Sequence, residues 1–307
     1  MKFSVIIPTF NRPESLGRCL AALSRLSYPR DEFEVIVVDD GGAHDLAGEL
    51  APYQDHLTCS LLRQANAGPS AARNKGALHA KGVFLAFIDD DCEPHAGWLQ
   101  AFDAAFSKSP DVLAGGRVVN GVPDCAPAAA SQLLIDYIHT RFNRDAENAR
   151  FFPSNNIAVA AGLYRQIGGF DEAFRYAASE DRDLCDRWLS HGRRMVWVGQ
   201  ALVSHHRPMS PAGFWKQHFL YGGGAFSYAL ARRRRSAGPV PFEGWRFHAG
   251  LVLAPFRFTT GVSAIRLVSW LLLSQVAVIA GYCRAAARTV LQRNRSYNST
   301  PLRSPKL

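Results

Sequence analysis

Three consecutive carboxylates, Asp89, Asp90 and Asp91, follow the apolar run at residues 83–88 and are well suited to chemistry. In a cleft of low dielectric constant they repel one another strongly, so a positive partner is needed. A hard divalent ion is a suitable partner, because such ions prefer oxygen ligands. Asp89 and Asp91 are two residues apart, so they point to the same side of an extended backbone and can share one ion and the ribose beside it. The alternative is a solvated turn, in which Asp is common.

Residues 34–40 follow the same design, since Glu-Val-Ile-Val-Val ends in Asp39 and Asp40 before a Gly-Gly turn. A further strand is predicted at residues 3–9. Apolar runs without alternation are typical of a parallel sheet that is covered on both faces. In such sheets the ligand lies beyond the carboxyl ends of the strands, where the strand order reverses. The sequence therefore predicts one crevice that receives both acidic strand ends.

A second acidic pair, Glu180 and Asp181, begins a predicted helix. Asp181 shares one helix face with Leu184, Cys185 and Trp188, at the spacing of an inward-facing stripe. A first-turn carboxylate on the inward face is placed to accept a proton. The alternative is that both acids only complement the helix dipole.

The order of these motifs resembles the family 2 glycosyltransferases of the GT-A fold. The similarity covers about residues 3–206. Four motifs of this chain resemble the donor half of that family. They are Phe-Ser-Val-Ile-Ile-Pro-Thr-Phe-Asn-Arg at 3–12, Val-Val-Asp-Asp-Gly at 37–41, Ala-Arg-Asn-Lys-Gly at 72–76 and Phe-Ile-Asp-Asp-Asp at 87–91. The acceptor half is resembled by Asn-Asn-Ile-Ala-Val at 155–159, Gly-Gly-Phe-Asp-Glu at 168–172 and the pair at 180–181.

The resemblance implies an α/β fold with a GT-A, Rossmann-like and mostly parallel central sheet flanked by helices. Residues 1–125 are expected to form the nucleotide-sugar half. Residues 126–230 then form the acceptor-binding and catalytic half of the same domain, and a soft loop is predicted at 123–131 where the halves divide. Residues 231–307 are expected to form a basic, partly apolar, helical appendage that associates with a membrane.

The resemblance also implies inverting, hexosyltransferase-type transfer from a nucleotide-diphosphate sugar. In that reading Asp181 removes the proton of the acceptor hydroxyl, with Glu180 beside it. A divalent ion, Mg²⁺ or Mn²⁺, is held chiefly by Asp91, with Asp89 assisting and His205 as a further candidate ligand. A surface histidine is the alternative for His205.

Donor contacts are expected from Pro8, Thr9, Phe10, Asp39, Asp40, Arg73, Asp89 and Asp90. Phe10 is expected against the nucleobase and Asp40 at the edge of the base, although packing in the core is the alternative for Phe10. Arg73 follows a predicted helix start and needs an anionic partner there, either the diphosphate or the acids at 39–40. Acceptor contacts are expected from Asn155, Asn156 and Trp188.

Composition agrees with this interpretation. The chain has 307 residues with 48% hydrophobic content, which is enough to bury a sizeable core, and a net charge of +9. The six cysteines show no Cys-x-x-Cys spacing, which argues against a zinc site and a disulfide framework. The N-terminus lacks a signal-peptide pattern, so the catalytic domain is expected in the cytosol. No basic patch interleaved with aromatic residues is present, and a nucleic-acid partner is not expected.

Two other classes of protein remain as alternatives. A nucleotidyltransferase of similar sheet architecture usually has a Gly-rich basic loop after the first strand, where this chain has Pro-Thr-Phe-Asn at 8–11. A noncatalytic sugar-binding protein would have no reason to keep all of the acids named above. A dinucleotide dehydrogenase is excluded because the Gly-x-Gly-x-x-Gly motif is absent.

The C-terminal region contains a marginal membrane segment. Between Arg266 and Arg284 lie 17 uncharged residues, at the short edge of what spans a bilayer. Both flanks are basic, which opposes a single crossing. The sequence predicts a monotopic helix or a re-entrant pair, broken near Pro255 and Gly261, that lies on the cytoplasmic face of the cell membrane near a lipid-linked or glycan acceptor. The alternative is a helix pair packed on the catalytic domain of a soluble protein.

Overall fold

The computed structural model of the chain describes residues 1–240, 244–257 and 262–298. The strands are β1 Phe3–Thr9, β2 Phe33–Asp39, β3 Cys59–Arg63, β4 Phe84–Ile88, β5 Cys92–Pro94, β6 Leu113–Asn120, β7 Asn156–Ala160 and β8 Met195–His205. The α-helices are α1 Pro13–Leu23, α2 Ala47–Leu50, α3 Pro69–His79, α4 Trp98–Lys108, α5 Ala126–Phe142, α6 Ala161–Gln166, α7 Glu180–Ser190, α8 Pro211–Arg234, α9 Trp245–Leu253 and α10 Ala264–Asn298. Short 3₁₀ helices lie at Ala51–Tyr53, Ala146–Asn148 and Ala254–Phe256.

The described strands form one sheet in the order β3-β2-β1-β4-β7-β6-β8-β5. Four pairings are parallel, namely β1 with β2, β1 with β4, β2 with β3 and β6 with β8. Strand β7 is antiparallel to β4 and to β6, and β5 is antiparallel to β8. The predicted α/β class with a central sheet flanked by helices is confirmed, and the antiparallel strands lie in its second part.

The central strands are buried on both faces, as their uninterrupted apolar runs predict. Alternate residues of a strand point to opposite sides of the sheet. On one side Val5 of β1 packs with Leu20 of α1 and Phe102 of α4. On the other side Ile6 of β1 shares a core with Trp188 of α7. Two helical layers therefore fix the sheet and the position of α7 against it.

The strand order reverses between β1 and β4. Strands β2 and β3 lie on one side of β1, whereas β4 is added on its other side. Thr9 at the end of β1 is the register partner of Asp39 at the end of β2. On its other side, the Thr9 hydroxyl donates a 2.7 Å hydrogen bond to Asp90 Oδ2 beyond β4. The two acidic strand ends therefore flank β1, and the crevice that the sequence predicts lies at this edge.

The predicted loop at 123–131 is wrong, because α5 begins at Ala126 and continues through the whole alanine run. Pro127 stands in the first turn, where proline is favoured, and alanine has the highest helix propensity. Strands on both sides of this point belong to one sheet, with β7 between β4 and β6. The division of the domain into halves at 125/126 stays a prediction.

The C-terminal region is helical, as predicted. A 3₁₀ turn that contains Pro255 follows α9, which agrees with the predicted break there, whereas the second predicted break, Gly261, lies outside the described residues. By length and composition alone, one described helix is able to cross a membrane: Ala264–Leu291, with a mean hydropathy of 1.7. Its buried face packs on α5 and α8. Its other face leaves exposed Ile265, Leu272, Val276, Ile279, Val290 and Leu291.

Candidate active site

The acids after β4 form ion pairs with Arg12, a partner that the sequence did not predict. Arg12 Nη1 donates to Asp90 Oδ1 at 2.9 Å and to Asp91 Oδ2 at 2.7 Å. Both carboxylates are buried, whereas the Arg12 side chain is 42% exposed. Arg12 belongs to the first family-like motif, but only the approach of the β1 and β4 ends reveals its role. Its exposure leaves the guanidinium free to move toward a phosphate.

Burial raises the pKa of Asp90 to about 7, against the opposing charge of Arg12. Burial would also raise the pKa of Asp91. The hydrogen bond and charge of His205, together with Arg12, instead bring the Asp91 pKa below its ordinary value. Of Asp90 and Asp91, Asp91 is therefore the acid that stays ionised at neutral pH.

Asp91, Cys92 and His205 place one potential metal ligand each within 4.8 Å of one another. His205 Nε2 lies 3.2 Å from Asp91 Oδ1, so the structure brings the predicted histidine to the predicted aspartate. Burial raises the pKa of the Cys92 thiol well above its ordinary value, and a neutral thiol is a poor ligand for a hard ion. Asp89 is outside this group of three. All six cysteines are free, as their spacing predicts.

Asn155 borders the same group. Its Nδ2 atom lies 3.6 Å from Cys92 Sγ, and its Oδ1 atom is buried without a hydrogen-bond partner. An unsatisfied buried carbonyl oxygen is costly unless a ligand satisfies it. Asp91 and His205 therefore offer an oxygen and a nitrogen donor that fit a divalent cation, and Asn155, which contacts Cys92, carries a buried carbonyl oxygen without a partner.

Arg73 joins the two acidic clusters. Its Nη2 lies 2.7 Å from Asp89 Oδ1 and its Nη1 lies 3.2 Å from Glu180 Oε1. The predicted ion pair with the acids at 39–40 is wrong, because Arg73 pairs with Asp89 and Glu180 instead. Arg73 is only 1% exposed, and its contact with the diphosphate of a donor stays a prediction. Arg73 fixes the start of α7 relative to the end of β4.

Glu180 and Asp181 open α7, as predicted. Burial, and then the charge of Asp181, raise the pKa of Glu180 to about 7, while Arg73 opposes the shift. Glu180 Oε2 has no hydrogen-bond partner. Burial also raises the pKa of Asp181, whose Oδ1 accepts a 2.7 Å bond from the amide of Arg182. Asp181 is the more exposed of the two acids and is therefore the one that an acceptor hydroxyl reaches.

Of the donor residues predicted at the end of β1, only Phe10 presents its side chain to solvent, at 45% exposure. Pro8 and Thr9 are buried, and Thr9 holds Asp90. Asp40 accepts bonds from the amides of Ala67 and Gly68. These bonds fix the loop that leads into α3.

Asp39 accepts a 2.8 Å bond from the Gly42 amide and pairs with Arg63 at 3.2 Å. Both acids at the end of β2 thus hold the turns around the crevice. Contacts of Asp39 and Asp40 with a nucleotide stay a prediction.

The predicted acceptor contacts are wrong for Asn156 and Trp188, which are both fully buried. Asn156 donates to Ala201 O and accepts from Trp98 Nε1, so its amide ties β7, β8 and α4 together. Trp188 fills the core under the sheet, and its indole donates to Arg194 O. Large aromatic and amide side chains on an inward face serve packing as readily as binding, and the sequence does not separate the two.

Comparisons with known proteins agree with this geometry. Mannosyltransferase PcManGT from Pyrobaculum calidifontis, solved with GDP-Man and Mn²⁺, superposes with a TM-score of 0.62 at 16% identity, covering 96% of this chain and 80% of that one. TarS 1–349 of S. aureus, solved with UDP-GlcNAc, gives a TM-score of 0.54 at 20% identity, covering 96% of this chain and 92% of that one. The protein therefore has the fold of a GT-A glycosyltransferase.

The sequence comparisons define the family. The family model "Glycosyl transferase family 2" matches residues 4–168, more than half of the chain. Glycosyltransferase AglE of Haloferax volcanii is 37% identical over 225 residues, which cover 72% of each chain. The pre-mycofactocin glycosyltransferase of Mycobacterium tuberculosis is 29% identical over 289 residues, or 91% of this chain, and the chain spans only 56% of that relative's length. The chain belongs to glycosyl transferase family 2, which decides against the nucleotidyltransferase alternative.

Proposed function

We propose that the protein transfers a hexose from a nucleotide-diphosphate sugar to a lipid-linked or cell-envelope glycan, with inversion at the anomeric carbon. The observation that carries this proposal is the Arg73 bridge. One buried guanidinium contacts Asp89 beside the candidate metal ligands and Glu180 beside the candidate base. A donor bound at the end of β4 therefore lies next to Asp181, in the arrangement that direct displacement requires.

Asp91 and His205, with Asn155 beside them, are the residues that would hold Mg²⁺ or Mn²⁺. A bound divalent ion supplies positive charge that offsets the charge on a diphosphate leaving group. Arg12 donates a hydrogen bond to Asp91 Oδ2, and its guanidinium is exposed enough to turn toward the same diphosphate. Phe10, exposed at the end of β1, is placed to stack on the nucleobase.

Asp181 acts as the general base for the acceptor hydroxyl. Burial raises its pKa above the ordinary value, which makes the carboxylate a stronger base than an exposed Asp. The amide of Arg182 holds the carboxylate through Oδ1. Glu180, fixed by Arg73, positions the first turn of α7 and adds negative charge beside the base.

The exposed apolar face of α10 supports a place at the cytoplasmic surface of the cell membrane, as a peripheral or monotopic protein. Trp245, Leu253 and Phe256, in and after α9, are exposed apolar residues as well. Exposed arginines lie in the same segments, which favours anionic headgroups. They are Arg246, Arg257, Arg266, Arg284 and Arg288.

Vesicle binding tests this placement. The full chain should co-sediment with phosphatidylglycerol vesicles and much less with phosphatidylcholine vesicles. Replacing Leu272 and Ile279 by Ser should weaken binding by about tenfold or more for each residue, since each buries a large apolar side chain. Val83→Ser, at a residue exposed elsewhere on the protein, is the matched control. Equal sedimentation of the wild type, the Leu272 and Ile279 variants and the Val83→Ser control would refute the placement.

A donor screen tests the activity. The full chain is incubated with Mn²⁺, a lipid extract as acceptor source, and a panel of nucleotide-diphosphate sugars, and the release of nucleoside diphosphate is measured. We expect one donor to be consumed and the chelator EDTA to abolish the reaction. Mass analysis of the product then identifies the acceptor. Release that is unchanged in EDTA would refute the role of the metal, and no release from any donor would refute the proposed function.

A further inference from the structure

Helix α8 approaches the residues just before the catalytic pair more closely than any side chain would allow. A Cβ atom built on Gly224 would overlap the carbonyl group and the side chain of Ala178. Ala178 is followed by Ser179 and then by the two acids that open α7. The backbone of α8 is therefore in direct contact with the segment that aims Asp181.

The same face of α8 continues along α7. The contacting residues of α8 lie at positions 224, 228, 232 and 235, at intervals of three or four residues, which is one face of a helix. The contacts after Gly224 are Tyr228 with Arg182, Arg232 with Asp186, and Arg235 with Asp183. Asp183 is fully buried and lies 2.6 Å from Arg235 Nη1. The C-terminal half of α8 and the residue that follows it are thus attached to α7 from Ala178, just before its start, to Asp186.

The opposite face of α8 rests on α10. A Cβ atom on Gly222 would overlap the carbonyl oxygen of Val278, and one on Gly281 would overlap that of Phe219. The ring of Phe226 meets that of Tyr282 edge to face at 5.3 Å. Helix α10 therefore supports α8 from behind, and α8 has little room to move away from Ala178.

Ser179 explains why such support is needed. Its φ angle is +70°, in the left-handed region that a residue other than glycine seldom adopts. Its side chain makes no capping bond to the helix that it precedes. Backbone strain of this kind persists only where the surrounding structure holds it. The packing of Gly224 on Ala178 is the contact that holds this strained residue from the α8 side.

We infer that α8 is a positioning element for catalysis, in which Gly224 sets the position of Ala178 and Ser179 and thereby the direction of the Asp181 carboxylate. The inference rests on the proposed function, because it takes Asp181 as the base. The three atoms nearest to a Cβ at residue 224 all belong to Ala178, and none of them to the donor side of the site at the ends of β1 and β4. A change at this residue should therefore alter turnover and leave donor binding intact.

Two adjacent glycines of α8, Gly223 and Gly224, provide a matched test. Gly223 has no atom within 4 Å of where its Cβ would stand, so Gly223→Ala adds the same methyl group to the same helix without a clash. Both variants gain the same helix propensity. We expect Gly224→Ala to lower kcat by about tenfold or more relative to Gly223→Ala, because small misplacement of a catalytic group is costly. The Kd of the nucleoside diphosphate with Mn²⁺ should agree between them within about twofold, as should the donor KM.

Equal kcat values for the two alanine variants would overturn the inference, and so would a parallel loss of nucleotide binding. If Gly224→Ala does not fold, as judged by its thermal unfolding, Arg235→Gln decides the question. This change releases the far end of α8 from Asp183 and should lower kcat with the nucleotide Kd unchanged, whereas an unchanged kcat contradicts the inference. Wild-type protein that transfers no sugar from any donor would instead refute the proposed function.

Discussion

Asp91 and Asp181 are carboxylates of one site whose pKa values move in opposite directions. His205 and Arg12 contact the Asp91 carboxylate. Their positive charge and hydrogen bonds bring its pKa below the ordinary value despite burial. Asp181 lies beside another acid, and burial raises its pKa. The two groups therefore suit two tasks, since an acid with a lowered pKa stays ionised and can hold a cation, whereas an acid with a raised pKa accepts a proton more readily.

Arg73 keeps these two environments apart while it connects them. It neutralises one acid of each cluster, Asp89 on the donor side and Glu180 on the acceptor side. Neither Asp91 nor Asp181 is its direct ion-pair partner among the described residues. The acids paired with Arg73 hold the geometry of the crevice, and the proposed function assigns the metal to Asp91 and the proton transfer to Asp181.

The largest effect is expected from Asp181→Asn, which keeps the shape of the side chain and removes the base. We expect kcat to fall by about 10²- to 10⁴-fold, the usual contribution of general base catalysis. The measurement is initial-rate release of nucleoside diphosphate at saturating donor. Asp111→Asn, an exposed acid in the turn before β6, is the control and should retain wild-type turnover. Near-normal turnover of Asp181→Asn would remove the distinction between the two acids.

An effect of intermediate size is expected from pH. The pKa of Glu180 is raised to about 7 and that of Asp181 is also raised, so the pair holds a proton at pH values where ordinary carboxyls are ionised. The base form is lost as pH falls through these values. At saturating donor and Mn²⁺, kcat should decrease by about tenfold for each pH unit below the apparent pKa of the pair. A kcat that stays constant down to pH 5 would show that the pair titrates as ordinary carboxyls do.

The smallest effect concerns Arg12, which competes with a metal ion for Asp91. Arg12→Ala should tighten Mn²⁺ binding in the absence of nucleotide by about two- to fivefold, because partly exposed ion pairs are weak. Titration calorimetry with Mn²⁺ measures this change. Arg18→Ala, a change of an exposed arginine in α1, the helix that Arg12 precedes, should leave Mn²⁺ affinity unaltered. Weaker Mn²⁺ binding by Arg12→Ala would show that Arg12 supports the metal site instead of competing for it.

The sequence predicted the elements that local patterns determine. Strands β1, β2 and β4 and the start of α7 appear where uninterrupted apolar runs and the acidic pair indicate. The pairing of His205 with Asp91 also appears, because both were tied to motifs of one family.

Other features depend on contacts between distant parts of the chain. The partners of Arg73 and the role of Arg12 come from strand ends that are brought together by the sheet order. Burial of Asn156 and Trp188 follows from which face of β7 and α7 meets the core. Residue types do not reveal such contacts, since the same side chains serve packing and binding.

The most direct test compares nucleotide binding by Asp91→Asn and Asp181→Asn. The nucleoside diphosphate identified in the donor screen is titrated into each variant by calorimetry, with Mn²⁺ and then with EDTA. We expect Asp181→Asn to bind it with wild-type, Mn²⁺-dependent affinity, and Asp91→Asn to bind it weakly and equally with or without Mn²⁺. Equal, Mn²⁺-dependent affinity in both variants would contradict the assignment of the metal to Asp91 and of the proton to Asp181.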